Sequence, residues 1–182
     1  MNVLELIAIV FSLISVWLTS KNNILCWPFG IIGILAFSKI FFDKSEFGNL
    51  YLQVFFIVQS IIGWMNWSNK NNLVKSLNKR NILILSSLTP ILVLLISLFT
   101  LKSNHYVLDT LTTFLSIFGS ILLIYKFIEA WYFWIVADIL YIFLFYKNGL
   151  YTSSFLYFIF LILAYIGLKD WLNLKKIKNE VQ

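Results

Sequence analysis

The chain reads as an all-α membrane protein, with seven transmembrane helices arranged as two three-helix units around one linker helix, a parallel 3+1+3 repeat. Three observations predict this. Hydrophobic residues make up 60% of the 182 residues and charged residues 12%, against about 45–50% and about 25% in soluble domains. Seven apolar stretches follow one another, separated by short polar segments. The chain also superposes on itself at an offset of 104 residues without a gap.

The stretches are Val3–Thr19, Ile24–Phe42, Gly48–Trp67, Ile82–Leu101, Leu108–Tyr125, Ala130–Tyr146 and Thr152–Leu168. Each is long enough, or nearly so, to cross a ~30 Å hydrocarbon core at ~1.5 Å per residue. Only helices or a closed barrel satisfy the backbone in lipid, and nothing here alternates with the period of a barrel strand. The first stretch has no basic segment before it and no small-x-small site after it, so a removable signal peptide is not expected. The expectation is one transmembrane domain over 1–182. It comprises a first three-helix repeat at 3–67, a linker helix at 82–101 and a second repeat at 108–171.

The self-superposition supports that division. It places Glu5 on Asp109, Ser12 on Ser116, Trp27 on Trp131, Phe47 on Tyr151, Gly63 on Gly167 and Trp67 on Trp171. One odd helix between two units of three gives both units the same orientation in the membrane.

The basic residues then sort by side. Lys21, Lys70, Lys75, Lys79, Arg80, Lys126, Lys169, Lys175, Lys176 and Lys178 fall on the side of the first connection, and only Lys44, Lys102 and Lys147 on the other. By the positive-inside rule the N-terminus is expected outside and the C-terminus in the cytoplasm, with Ser68–Arg80 cytoplasmic. The net charge of +6 is accounted for by lysines at helix ends, where anionic headgroups of the lipid bilayer lie, so no nucleic-acid partner is implied.

Enzyme and metal chemistry find little footing. A single cysteine, Cys26, excludes an intrachain disulfide, and no His/Cys cluster suggests a metal or cofactor. His105 is the only histidine and lies in a connection, and neither HExxH nor GxSxG occurs, so an enzyme is not expected.

The polar residues within the spans carry the functional signal. The fifth span places Asp109, Thr112, Thr113, Ser116 and Ser120 within about 60° of one face, and the first repeats this more weakly with Glu5, Ser12 and Thr19. The third puts Asn49, Gln53 and Ser60 on a stripe with Phe56, and the seventh adds Tyr157 to its Ser154 face. Hydroxyls and amides of this kind serve as interhelical glue at about 0.6 kcal/mol each. A carboxylate in the bilayer core is a different matter, at a cost of roughly 2.5–3.5 kcal/mol. Glu5, Asp109 and Glu129 stand at span ends, whereas Asp138 lies about 10 Å beyond Trp131 along the sixth span, towards the midplane. Trp131, Trp134 and Asp138 fall within about 60° of one another.

Trp17, Trp27, Trp67, Trp131 and Trp171 sit at cytoplasmic span ends, the positions of an aromatic belt. Trp64 and Trp134 lie one turn deeper. Trp134 can stack on a flat ring while Asp138 balances a positive charge, which suits a planar aromatic cation.

Trp131-x-x-Trp134-x-x-x-Asp138, preceded by Glu129, resembles the sixth-helix motif of the nicotinamide riboside transporter (PnuC) family of bacterial vitamin transporters. The resemblance extends through Trp27-Pro28-Phe29-Gly30, Leu52-Gln53, Gly63-Trp64-Met65-Asn66-Trp67, Asp109 and Gly149-Leu150-Tyr151, and so covers nearly the whole chain. Phe47 stands where the family often has Tyr, and Asn49 where Asp is common. The resemblance implies a SWEET-like fold in the bacterial inner membrane. It also implies facilitated diffusion of a small-molecule vitamin, with trapping by a cytoplasmic kinase. Trp131, Trp134 and Asp138 would hold ring and ribose, and Gln53 would bond an amide or hydroxyl, with Tyr157, Thr112, Ser116 and Asn49 completing the candidate substrate site. Thiamine, also an aromatic cation, and neutral riboflavin are carried on the same scaffold and stay open as substrates. A non-transporting membrane assembly subunit is the remaining alternative, and a homo-oligomer is left open.

Overall fold

The polar connections read from the sequence separate seven helices in a computed structural model, which describes residues 3–43, 47–69, 73–100 and 106–181. Within these ranges the side chains of 47–52, 84, 86, 88, 99, 100, 178, 179 and 181 lie outside the description. Asn49, as a side chain, and Lys44, Lys70, Lys102 and His105 therefore fall outside the described residues.

The helices are α1 (Val3–Ser20), α2 (Cys26–Asp43), α3 (Phe47–Ser68), α4 (Lys79–Thr100), α5 (Tyr106–Ile124), α6 (Ala130–Lys147) and α7 (Tyr151–Val181). Among the described residues, α1, α2, α5, α6 and the Tyr151–Ile177 part of α7 are long and apolar enough to cross a membrane. Most boundaries fall close to the ends of the apolar runs. The exception is α7, expected to stop at Leu168 and in fact continuing to Val181. Residues 169–181 contain neither Gly nor Pro, and Lys176 and Glu180 pair at 4.0 Å one turn apart. The loss of apolar residues marks where lipid contact can end, and the helix itself runs on.

Neighbouring helices pack as α1 on α2 and α7, α2 on α3, α3 on α5, α4 and α6 on α5, and α6 on α7. Under the 104-residue offset, α1–α2 corresponds to α5–α6, α2–α3 to α6–α7, and α1–α7 to α5–α3. Small residues bring α1 and α2 together: a β-carbon on Gly33 would lie 2.9 Å from Ser12 Oγ, and Ser15 Oγ donates to Cys26 O at 2.8 Å. Pro28 sits in the first turn of α2, where its missing N–H leaves no bond unmade.

The turns leading into α2 and α6 are built alike. Asn22 (φ 52°) and Lys126 (φ 58°), 104 residues apart, both adopt the left-handed conformation. Asn22 N donates to Thr19 O at 2.9 Å and Lys126 N to Leu123 O at 3.0 Å, followed by Asn23 N to Leu18 O and Phe127 N to Leu122 O. A lysine in this conformation costs about 1–2 kcal/mol, which the surrounding packing must offset.

That packing is a four-tryptophan core. Trp27 and Trp67 meet edge-to-face at 5.4 Å, as do Trp131 and Trp171, and Trp67 meets Trp171 at 5.9 Å across the two halves. Trp67 Nε1 donates to Leu123 O and Ile124 O (3.2 and 3.1 Å), and Trp171 Nε1 to Thr19 O (3.2 Å). All four indoles are buried, Trp171 completely (0% exposed), whereas Trp17 is 49% exposed. The belt expectation is thus corrected for Trp27, Trp67, Trp131 and Trp171 and kept for Trp17. Gly63 and Gly167 leave slots on α3 and α7 into which the indoles of Trp27 and Trp131 lie, and a large amphipathic ring goes where such a slot lets it bury its face.

Candidate functional site

Glu129 is the N-cap residue of α6, and its carboxylate is turned away from the helix: Oε1 accepts from Leu77 N at 3.1 Å. One turn into α6, the stripe predicted from Trp131, Trp134 and Asp138 divides. Trp131 turns towards α7, against Gly167 and Trp171. Trp134 turns towards α5, where Gly119 makes room for it: a β-carbon there would be 3.3 Å from the indole Nε1. At the position equivalent to Trp134 under the offset stands Gly30, whose missing side chain faces Ser15 on α1. The two halves are built on one pattern, and only the second carries the indole.

Asp138 follows one turn later and is 2% exposed. Among the described residues no cation pairs with it. A buried carboxylate without a counter-charge is costly in a membrane interior. Tyr141 follows Asp138 by a further turn of α6. Its hydroxyl lies 3.4 Å from Ser116 Oγ and close to Thr112. The Tyr141 ring packs on Tyr157 of α7 at 4.6 Å, and Phe145 joins both at 5.8 and 5.2 Å.

The structure therefore brings Asp138, Thr112, Ser116 and Tyr157 together around Tyr141. Trp134 lies on the side of Asp138 towards the tryptophan core. Thr112 and Ser116 are buried. Thr112 Oγ1 donates to Leu108 O at 2.9 Å, with Asp109 O at 3.2 Å, so its proton is held by the backbone and its lone pairs remain. Ser120 Oγ on the same face is buried with no partner among the described residues. Trp131 stands apart from this group, packed in the tryptophan core. Gln53 is half-buried on α3, which packs on α2 and α5 and, among the described residues, not on α6. Tyr141 was not singled out from the sequence, although its place three residues after Asp138 put it on the same helical stripe.

Trp134 and Tyr141 are about 10 Å apart along α6 with Asp138 between them. An aromatic ring held between two others needs about 7 Å, twice the ~3.5–4.0 Å contact distance. The Tyr141 ring is already packed on Phe145 and Tyr157, so a ring entering beside Asp138 would have to displace part of this packing. Among the described residues no basic side chain pairs with Asp138: Lys39 is paired with Asp43 near the end of α2, and Lys169, Lys175 and Lys176 lie on the part of α7 beyond its apolar run.

Comparison with known proteins gives a consistent outcome. The profile of the family described as "Nicotinamide mononucleotide transporter" matches residues 2–173. The chain is 26% identical over 203 aligned positions to a protein of Escherichia coli (strain K12) named "Nicotinamide riboside transporter PnuC", covering 93% of this chain and 85% of the relative. A protein of Shigella flexneri with the same name matches equally. The fold is similar to that in the "Crystal structure of the Vitamin B3 transporter PnuC", with a TM-score of 0.77 at 23% identity, over 95% of this chain and 82% of the other.

Proposed function

Because the chain belongs to the nicotinamide mononucleotide transporter family, we propose that it carries nicotinamide riboside across the bacterial inner membrane by facilitated diffusion. A cytoplasmic kinase then retains the vitamin by phosphorylating it. The observation that carries this reading is Asp138, buried on α6 between Trp134 and Tyr141 in sequence and without a counter-ion among the described residues. A pyridinium ring supplies both the flat face and the positive charge this arrangement accommodates. The nucleoside suits it better than the nucleotide, since a phosphate would meet a carboxylate with no cation beside it. Trp131 supports Trp134 from the tryptophan core, while Ser116, Thr112 and Tyr157 offer hydroxyls to the ribose. Gln53 and Asn49 approach from α3 once the halves move.

The same reading takes all seven helices as spans in a parallel 3+1+3, SWEET-like arrangement. In its support, α3 and α4 have 22 residues each, about 33 Å of helix, and packing, turns and tryptophan pairs recur at the 104-residue offset. The N-terminus is outside and the C-terminus cytoplasmic, following the lysine count.

The test is uptake of labelled nicotinamide riboside, thiamine and riboflavin into proteoliposomes. Saturable uptake of nicotinamide riboside, competed by the unlabelled compound, is expected. Preference for thiamine would reassign the substrate on the same site, and no saturable uptake of any of the three would overturn transport of these vitamins.

A further inference from the structure

The connection after α3 reads from its sequence as a short polar segment, and residues 74–77 of it lie against the turn between α5 and α6. Lys75 N donates to Lys126 O at 3.0 Å and Ile128 N donates to Lys75 O at 2.9 Å, which pairs Lys75 with Phe127 in a parallel bridge. Leu77 N donates to Glu129 Oε1, Lys175 of α7 donates to Ser76 Oγ at 2.7 Å, and the Lys75 ammonium lies 4.9 Å from the Phe127 ring centre. Val74, 6% exposed, is a member of the cluster that contains the four core tryptophans and Cys26. One short segment thus reaches the second-half turn, α7 and the tryptophan core together.

We propose that residues 73–78 form a strap that closes the tryptophan end of the transport path and must detach from the α5–α6 turn before substrate can leave on that side. The proposal rests on the transport reading above. The described contacts between the halves gather at this end: Trp67 to Trp171, Trp67 to the end of α5, Asn66 Nδ2 to Ile124 O, Trp171 to the end of α1, and Lys21 to Asp170. A path between the halves is therefore shut here, and the strap crosses the closure.

The strap is suited to release. An isolated two-stranded pairing is marginal in water, and the hydrogen-bonding groups of Lys75, Ser76 and Leu77 can take water in place of their partners, with Val74 the buried apolar side chain that opening exposes. Beneath it Lys126 is buried, with its ammonium 4.5 Å from the centre of the Trp67 ring. Desolvation there lowers its pKa from the ordinary lysine value, so rehydration of this cation on opening offsets the breaking of the strap's hydrogen bonds.

Two measurements test the strap. In a Cys26→Ser background, Lys75→Cys with Phe127→Cys places two thiols on bridged residues. Adjacent strands lie about 4.8 Å apart, within the roughly 4.4–6.8 Å Cα range of a disulfide. Oxidation is expected to lower uptake at least tenfold and reduction to restore it, with each single-cysteine variant unaffected. A fully cross-linked protein that transports at the reduced rate overturns the proposal. The second measurement needs no transport. Cys26 is the chain's single thiol and is buried under the strap's cluster, so its maleimide labelling reports opening. Lys75→Pro removes the N–H that bonds Lys126 and is expected to raise the labelling rate about tenfold, whereas Lys75→Ala, which keeps both backbone bonds, leaves it near wild type. Equal labelling in all three proteins overturns the strap. If the reduced protein carries none of the vitamins, the transport reading fails, and Cys26 labelling alone decides whether the strap opens.

Discussion

The Trp131 indole fills the space that a side chain at Gly167 would need, since a β-carbon there would lie 2.5 Å from Cη2. The same relation holds between Trp27 and Gly63, at 2.3 Å. The ring cannot yield to a methyl group without disturbing its edge-to-face partner, so Gly167→Ala and Gly63→Ala are each expected to destabilise the fold by about 1–3 kcal/mol, the usual cost of overpacking. Gly30→Ala meets the Ser15 hydroxyl at 3.0 Å, a longer approach than the two indole contacts, and is expected to cost less. Thermal unfolding in detergent followed by tryptophan fluorescence ranks the three. A Gly167→Ala protein that melts with wild type would remove the packing described.

At Asp138 the carboxylate is expected to act through charge. Asp138→Asn keeps the shape and removes the charge. Loss of a charge-assisted contact is worth about 1.5–3 kcal/mol, so affinity for nicotinamide riboside is expected to fall roughly ten- to a hundredfold. Trp134→Ala removes the stacking face and is expected to cost at least as much. If the side chain serves instead as an acceptor for ribose hydroxyls, Asp138→Asn leaves affinity nearly unchanged and Asp138→Leu abolishes it. Calorimetry on purified variants separates these roles, and unchanged binding in both Asp138→Leu and Trp134→Ala would eliminate the site.

Tyr141 contributes a ring and a hydroxyl, and two substitutions separate them. Tyr141→Phe loses the contacts of the hydroxyl to Ser116 and Thr112 and keeps the ring, so affinity is expected to change by less than about threefold, in line with the ~0.5–1.5 kcal/mol net worth of a neutral hydrogen bond at its lower end. Tyr141→Ala removes the ring and opens its stack on Tyr157 and Phe145. An affinity loss of about tenfold is expected, in line with ~0.5–1.5 kcal/mol for an aromatic pair beyond its area. A purely packing role would lower the melting temperature and leave the affinity of the folded fraction intact.

How far the sequence carried these conclusions depended on what hydrophobicity can encode. The runs between Asn- and Lys-containing connections located the helices well, and the repeat register matched the paired turns at Asn22 and Lys126. In lipid, however, both the outward and the inward face of a helix are apolar, so periodicity could not tell that Trp27 and Trp131 point into glycine slots while Trp17 does not. The signal was present in the pairing of Trp27 with Gly63 and Trp131 with Gly167 at one offset. Asp138 stood out because charge in a span is rare, whereas Tyr141 blended into an aromatic helix. The strap was hidden because Asn-Lys-Ser composition reads as loop, and its partner strand is a turn more than fifty residues away.

Transport is expected to be uncoupled from any ion gradient, yet sensitive to voltage. Asp138 has no second acid at its depth among the described residues, and Lys39 is paired with Asp43 near a helix end, so no relay for a proton or sodium ion is formed. The substrate itself carries one positive charge. Moving it across the membrane is worth about 2.3 kcal/mol per 100 mV, and about 1.4 kcal/mol corresponds to a tenfold ratio. An inside-negative potential of about 60 mV should therefore give roughly tenfold accumulation of nicotinamide riboside in kinase-free proteoliposomes. With the potential clamped at zero by potassium and valinomycin, uptake should stop at the bath concentration whatever the proton or sodium gradient. Accumulation driven by either gradient at zero potential would show a coupled ion and refute the uncoupled carrier.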